Sequence, residues 1–338
     1  MSQKTLSVIG GGSWGTALAH LLIEKGYVVR LWVFEKEVVR QILEKRENET
    51  FLPGIYLNPS LHVTNSLEEA LEDSSLLVFS VPSHFARGVL STLAPLLSQP
   101  VPIVSATKGI ETDSLSLMTD VMKQTLPSSV HPYLAVLSGP SFAREVAQGS
   151  PTLVTLASEN NSVAQELQGV FTTPCFRVYT SSDLVGVQIG GALKNVMAIA
   201  AGVADGLGLG FNSRAALITR GLLEITRLGT AMGGEQQTFY GLSGIGDLIL
   251  TCTGELSRNR RVGFRLGEGV ALQTILQEMH MVAEGVRTTQ AAHRLAQKFQ
   301  VRMPIVSQVH ALLFEGKDPQ KALRSLMEGP PGDETGAD

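Results

Sequence analysis

Leu6-Ser7-Val8-Ile9-Gly10-Gly11-Gly12-Ser13-Trp14-Gly15 is the stretch that decides the fold. A short apolar run ends directly in G-x-G-x-x-G, and Ala17, Leu18, Leu21 and Leu22 then recur at helical spacing. Strand, tight turn and helix in that order are the context in which this spacing means dinucleotide binding. Outside it, the same glycines would be an ordinary turn of another α/β protein. Gly10 allows the sharp exit from the strand, Gly12 lets the backbone approach a pyrophosphate, and Gly15 lets the helix pack close to the strand. The N–H groups left unpaired at the helix start then face the anion, with the helix dipole adding to the attraction.

The chain has 338 residues, more than one ordinary domain holds, and 43% of them are hydrophobic, enough for a sizeable core. Its formal net charge of −4 argues against nucleic acid or an anionic membrane surface as the main partner. A phosphate must therefore be held by a local basic cluster. The two cysteines, Cys175 and Cys252, sit in unrelated segments and read as small core hydrophobes. They give neither a disulfide framework nor a metal-ligand spacing, so no metal is expected and a reducing compartment is. The N-terminus lacks the pattern of a signal peptide, and no uninterrupted apolar stretch suffices to cross a bilayer. A cytoplasmic protein is expected.

Short β-rich runs alternate with helical patterns in the first half. Expected strands are 6–9, 28–33, 76–81, 103–106, 134–137, 153–155 and 176–178. They imply a mainly parallel, doubly wound sheet covered on both faces, with its ligand crevice at the carboxyl ends of the strands. The texture changes near Ser181. Residues 183–204 are rich in Ala, Gly and Val without a strand signal, and helical patterns follow at 213–228, 247–253, 272–277, 286–299 and 305–313. The expected architecture is thus a Rossmann-like α/β unit over 1–180 and an all-helical unit over 181–328. The acidic tail, 329–338, lacks apolar anchors and is expected to be disordered.

Glu35 lies about 20 positions past the glycines, where an acidic residue holds the adenosine ribose of NAD and repels a 2′-phosphate. The alternative is a solvated charge at a strand end, and Lys36 and Arg40 would tolerate NADP, so NAD is favoured only weakly.

Polar islands interrupt the apolar background. Ser105-Ala106-Thr107-Lys108-Gly109 follows one strand and Ser138-Gly139-Pro140-Ser141-Phe142-Ala143 another, both facing the crevice of an open sheet; the second also reads as a plain strand–helix turn. Gly190-Gly191-Ala192-Leu193-Lys194-Asn195 puts a lysine and an amide inside an apolar helix. A buried lysine is costly unless paired, which makes Lys194 a functional candidate unless its stem snorkels to the surface. Gly190 and Gly191 cost helix stability, which makes sense if something approaches the backbone there. Asp247 opens a helix either as an N-cap or as a functional carboxylate, with Thr251 on the same face. Ser257-Arg258-Asn259-Arg260-Arg261 is either a phosphate clamp or a solvated basic helix face.

Taken in order, residues 10–15, Ala-Thr-Lys-Gly at 106–109, Ser-Gly-Pro-Ser-Phe-Ala at 138–143, Gly-Ala-Leu-Lys-Asn-Val at 191–196, Gly-Ile-Gly-Asp-Leu at 244–248 and Ser-Arg-Asn at 257–259 resemble the NAD(P)-dependent glycerol-3-phosphate dehydrogenases of the bacterial type. The resemblance runs over nearly the whole chain apart from the tail. It implies interconversion of sn-glycerol 3-phosphate and dihydroxyacetone phosphate for glycerophospholipid synthesis, by a homodimer. It makes Lys194 the proton acceptor, and Lys108, Gly139, Ser141, Asp247, Ser257, Arg258 and Asn259 substrate contacts. Asn195 and Thr251 would line the same site. Ser13, Trp14, Lys108, Ala143, Arg258, Val282 and Glu284 would contact the cofactor beside Gly10, Gly12 and Gly15. One departure stands out: bacterial members often carry basic residues where this chain has Phe34 and Glu35, which leaves NADP preference open.

The chemistry of these residue types agrees. Hydride reduction of a ketone creates an alkoxide that needs a proton donor. Lys194 can serve if its pKa falls from about 10.4. Burial and Lys108 would lower it and Asp247 would raise it, so the net sign is open at this stage. A β-hydroxyacid dehydrogenase would share the two-part plan and the lysine but has less use for Ser257-Arg258-Asn259. A non-catalytic NAD sensor would have no need to bury Lys194 beside Asn195.

Overall fold

The computed structural model describes residues 4–279 and 283–328. The tail, 329–338, and Val282 lie outside the described residues. Eight strands form one sheet: β1 (Thr5–Ile9), β2 (Val28–Trp32), β3 (His62–Thr64), β4 (Ser74–Phe79), β5 (Ile103–Ser105), β6 (Leu134–Ser138), β7 (Thr152–Ala157) and β8 (Phe176–Ser181). Helices α1 (Ser13–Glu24), α2 (Lys36–Lys45), α3 (Leu67–Leu71), α4 (Ser83–Leu93), α5 (Met118–Thr125), α6 (Ala143–Ala147) and α7 (Asn161–Phe171) connect them. The spatial order is β3-β2-β1-β4-β5-β6-β7-β8, with all neighbours parallel except β6 and β7. The order reverses between β1 and β4, in register Val8↔Val78, and a doubly wound sheet opens its ligand crevice at such a switch point. β3 is absent from the sequence expectation, because three residues at a sheet edge carry too little apolar pattern to be read.

At that switch point the glycine turn takes the shape its sequence implies. Gly10 has φ +118°, and a Cβ on it would lie 2.5 Å from the Ser80 carbonyl oxygen at the end of β4. Gly12 by contrast faces open space. It caps α1 without any side-chain hydrogen bond and without an acidic residue in the first turn, so the N–H groups there remain directed outward.

Beyond β8 the chain is helical: α8 (Leu184–Gly206), α9 (Gly210–Ala231), α10 (Asp247–Thr253), α11 (Arg258–Gly267), α12 (Leu272–Glu278), α13 (Glu284–Lys298), α14 (Pro304–Phe314) and α15 (Pro319–Met327). α8 is buried on every face from Gly186 to Ala204, as the axis around which the others pack. By length and mean hydropathy it is long enough to cross a membrane, contrary to the expectation that no stretch suffices. However, 94% of that stretch lies inside the molecule, so it is a core helix. Its first turn joins the two halves: Leu184 and Val187 pack with Val136 and Ala157 of the sheet. Gln188 adds a buried polar tie, accepting from the Thr119 N–H at 3.0 Å and donating to the Thr119 hydroxyl at 2.9 Å. Cys252 is buried, its thiol pushed up to about 12 by burial, whereas Cys175 is exposed and not the core residue expected.

Candidate active site

Three elements bring charge to one point. Lys108 reaches in from just beyond β5, Lys194 from the middle of α8, and Asp247 from the first turn of α10. Asp247 is fully buried and divides its carboxylate, accepting from Lys194 Nζ on Oδ1 at 2.5 Å and from Lys108 Nζ on Oδ2 at 2.9 Å. This disposes of the N-cap reading of Asp247: the cap position belongs to Gly246, and both carboxylate oxygens are engaged by lysines. Thr251, one turn on, donates to the Asp247 carbonyl at 2.6 Å.

Lys194 does not snorkel; its side chain is 9% exposed. Burial lowers its pKa to about 8, opposed by the Asp247 carboxylate and reinforced by the Lys108 ammonium. The balance that the sequence leaves open therefore settles downward. The glycines before it have visible tasks. Gly190 abuts the backbone carbonyl of Ser243, and a Cβ on Gly191 would lie 2.5 Å from the Ser138 hydroxyl. The sheet thus stands against α8 one turn before Lys194.

Around this cluster, Lys108 also donates to the Gly139 carbonyl at 2.9 Å and to the Ser141 hydroxyl at 3.4 Å. Ser141 itself donates to Gly139 at 2.9 Å. An amide chain continues the site. Asn195 donates to the Lys108 carbonyl at 3.3 Å, Asn259 donates to the Asn195 side-chain oxygen at 2.9 Å, and the Gly285 N–H donates to Asn259 at 2.9 Å. Sheet, α8, α11 and α13 are thereby fixed to one another through two asparagines.

The basic run separates into different roles. Ser257 caps α11, accepting from the Arg260 N–H at 3.2 Å. Arg258 is half-buried, its pKa lowered by burial against the charge of Glu284, the first residue of α13. Burial raises the Glu284 carboxyl, opposed first by Arg258. Arg260 is bound to Asp205, and Arg261 is exposed, so only the last of the run is a solvated face.

On the cofactor side, Ser13 donates to the Phe51 carbonyl at 2.6 Å, while the Trp14 indole N–H is buried without an acceptor among the described residues. Ala143 opens α6. Glu35 stands exposed at the cap position of α2, three residues past the end of β2. The open space over Gly12 and the uncapped start of α1 fit a dinucleotide pyrophosphate. Asp205, Gln188 and Thr119 were missed from the sequence: Gln188 and Thr119 pair across 69 residues, and Asp205 joins Arg214 on the next helix to Arg260, 55 residues on.

Comparison with known proteins agrees across the full length. Residues 5–164 match the model of the NAD-dependent glycerol-3-phosphate dehydrogenase N-terminus, and residues 183–324 that of the C-terminus. The glycerol-3-phosphate dehydrogenase [NAD(P)+] of Geobacter sulfurreducens is 56% identical over 327 residues, 97% of each chain. That of Geobacter metallireducens is 55% identical over 336 residues, 99% of this chain and 100% of the relative. The crystal structure of glycerol-3-phosphate dehydrogenase from Coxiella burnetii superposes with a TM-score of 0.92 at 41% identity, covering 96% of this chain and 99% of that one. This chain belongs to the NAD-dependent glycerol-3-phosphate dehydrogenase family.

Proposed function

We propose that this protein catalyses the reversible, NAD(P)H-dependent reduction of dihydroxyacetone phosphate to sn-glycerol 3-phosphate, the step that feeds glycerophospholipid synthesis. The observation that carries the reading is the buried Lys194–Asp247–Lys108 cluster, set at the carboxyl ends of the strands in a member of this family. When bound, NAD(P)H supplies the hydride that turns the ketone into an alkoxide. Lys194, as an ammonium, donates the proton that the nascent alkoxide needs, and as a neutral amine takes it back in the oxidative direction. Asp247 aims the Lys194 Nζ, and its second oxygen anchors Lys108 beside Gly139 and Ser141, where the substrate's polar groups would be received. Thr251 stiffens Asp247 from below, and Asn195 holds Lys108 by its backbone.

Ser257, Arg258 and Asn259 form the phosphate grip. A guanidinium binds phosphate in a two-pronged fork, and the energy of that remote contact orients the carbonyl. On the cofactor side, Gly10, Gly12 and Gly15 shape the pyrophosphate cradle, and Ser13, Trp14, Lys108, Ala143, Arg258 and Glu284 contact the cofactor by resemblance. Val282, outside the described residues, completes the set by resemblance. Glu35 weights the choice toward NAD. We read the working molecule as a cytoplasmic homodimer of two-unit chains, 1–180 and 181–328. The separate family models for the two ends support the division, the resemblance supports the dimer, and two unpaired cysteines support a reducing compartment.

The test is the initial rate of NADH and NADPH oxidation with dihydroxyacetone phosphate and with unphosphorylated dihydroxyacetone. Arg258→Ala should raise KM at least about tenfold more for the phosphorylated ketone than for the unphosphorylated one, as loss of a charged partner of the phosphate does. Equal effects on both would remove the phosphate role of Arg258. No oxidation of either nucleotide would overturn the substrate.

A further inference from the structure

Asp205 sits on the last turn of α8, eleven residues past Lys194. Its side chain is 6% exposed, and it binds two guanidinium groups. Oδ1 accepts from Arg214 on α9, from Nε at 2.9 Å and Nη2 at 2.5 Å. Oδ2 accepts from Arg260 Nε on α11 at 2.8 Å, and Nη2 of the same guanidinium completes the ion pair at 2.7 Å. One carboxylate thus holds two cations in a setting where each, left alone, would be expensive. Planar forks on both sides make the geometry directional as well as attractive.

The position of Arg260 gives this clamp its consequence. Arg260 is the third residue of α11, and Arg258 is the first. At about 100° per residue, the two side chains leave the helix on nearly opposite sides. Holding Arg260 from behind therefore sets the rotation of α11 about its own axis, and with it the direction in which Arg258 points. It does so together with Asn259, which bonds Asn195 of α8 and the Gly285 N–H, and with the buried Val262 and Leu266. Elsewhere along the seam backbone lies against backbone: Gly202 abuts the Arg260 carbonyl, and Gly263 abuts the Ile199 carbonyl. Among these ties the Asp205 clamp is the ionic and most directional one.

We propose that Asp205 is a positioning residue for the substrate phosphate. By clamping Arg260 it fixes the first turn of α11, so that Arg258 and Asn259 meet the phosphate at the correct height and angle. Arg214 holds the other side of the carboxylate and keeps it from following Arg260. The inference rests on the reading of Arg258 as the phosphate-binding group.

The test is steady-state kinetics of Asp205→Asn, Asp205→Glu and Arg260→Lys, with dihydroxyacetone phosphate and unphosphorylated dihydroxyacetone, alongside Arg258→Ala. Asp205→Asn should raise KM for the phosphorylated ketone roughly tenfold, equivalent to about 1.4 kcal/mol. It should change kcat by less than about twofold and raise KM for unphosphorylated dihydroxyacetone far less than KM for the phosphorylated ketone. Arg260→Lys keeps the charge but loses the fork, so it should show the same split even if Asp205→Asn fails to fold, and Asp205→Glu should recover part of the affinity. A lower melting temperature with unchanged KM values would make the clamp structural only and overturn the proposal. So would equal rises for both ketones. If Arg258→Ala itself fails to separate the two ketones, the phosphate reading falls and the proposal with it; if Arg258→Ala separates them and the Asp205 and Arg260 variants do not, the proposal alone falls.

Discussion

A lysine inside a packed helical core keeps its proton only against the cost of desolvation, and Lys194 is poised where that contest is close. Burial lowers its pKa to about 8 although Asp247 lies at 2.5 Å, because desolvation outweighs the carboxylate and the Lys108 ammonium adds to the lowering. The direction fixes the pH dependence. Ketone reduction needs the ammonium, so its kcat should hold at neutral pH and fall as pH rises through about 8. Alcohol oxidation needs the free amine and should rise over the same interval. Rate profiles in the two directions check this, and a reductive rate that climbs past that point would contradict it. Lys194, Lys108 and Asp247 were each legible in the sequence, as polar residues inside an apolar helix, just past a strand and at a helix start. Their joint arrangement was not, since Asp247 lies 53 residues from Lys194 and 139 from Lys108.

Most strands bounded by turn residues, and helices with an apolar stripe such as α13 and α14, could be read from the pattern alone. The short edge strand β3 and the helix α11 could not. The buried positions of α11 are Asn259, Val262, Gly263 and Leu266, a helical spacing in which two of the four residues are not apolar. The glycine is there for proximity: a Cβ on Gly263 would run into the Ile199 carbonyl and lie 2.9 Å from the Val203 nitrogen. Helix propensity alone would make Gly263→Ala stabilising by about 1 kcal/mol. Packing predicts the reverse, a loss of roughly 1–3 kcal/mol as backbone is forced apart. Denaturant unfolding decides between the signs, and a gain in stability would show that the α8–α11 seam has slack. Glu224 illustrates the same limit of local reading. It lies buried in the middle of α9, yet its carboxylate accepts the first N–H groups of α14, from Ile305 at 2.7 Å and Val306 at 3.1 Å.

At the scale of the molecule, neither half alone carries the proposed site. The sheet half supplies Lys108, Gly139, Ser141 and the glycine turn, and the helical half supplies Lys194, Asp247 and Arg258. The first turn of α8, through Val187, Leu184 and the Gln188–Thr119 pair, sets their separation. The two-part plan showed in the sequence as a change of texture near Ser181. The tie between the parts did not, because Gln188 and Thr119 are 69 residues apart and neither stands out among its neighbours. Lys194 is proposed to exchange the proton where the halves meet, while the glycine turn of the sheet half receives the pyrophosphate. The most direct measurement is NADH oxidation by dihydroxyacetone phosphate in Lys194→Ala against the unaltered protein, with NADH affinity taken from the same samples by fluorescence titration. The account predicts a fall in turnover of at least about 10²-fold with NADH affinity preserved. Turnover that survives the substitution, or NADH affinity that falls as far as turnover does, would contradict it.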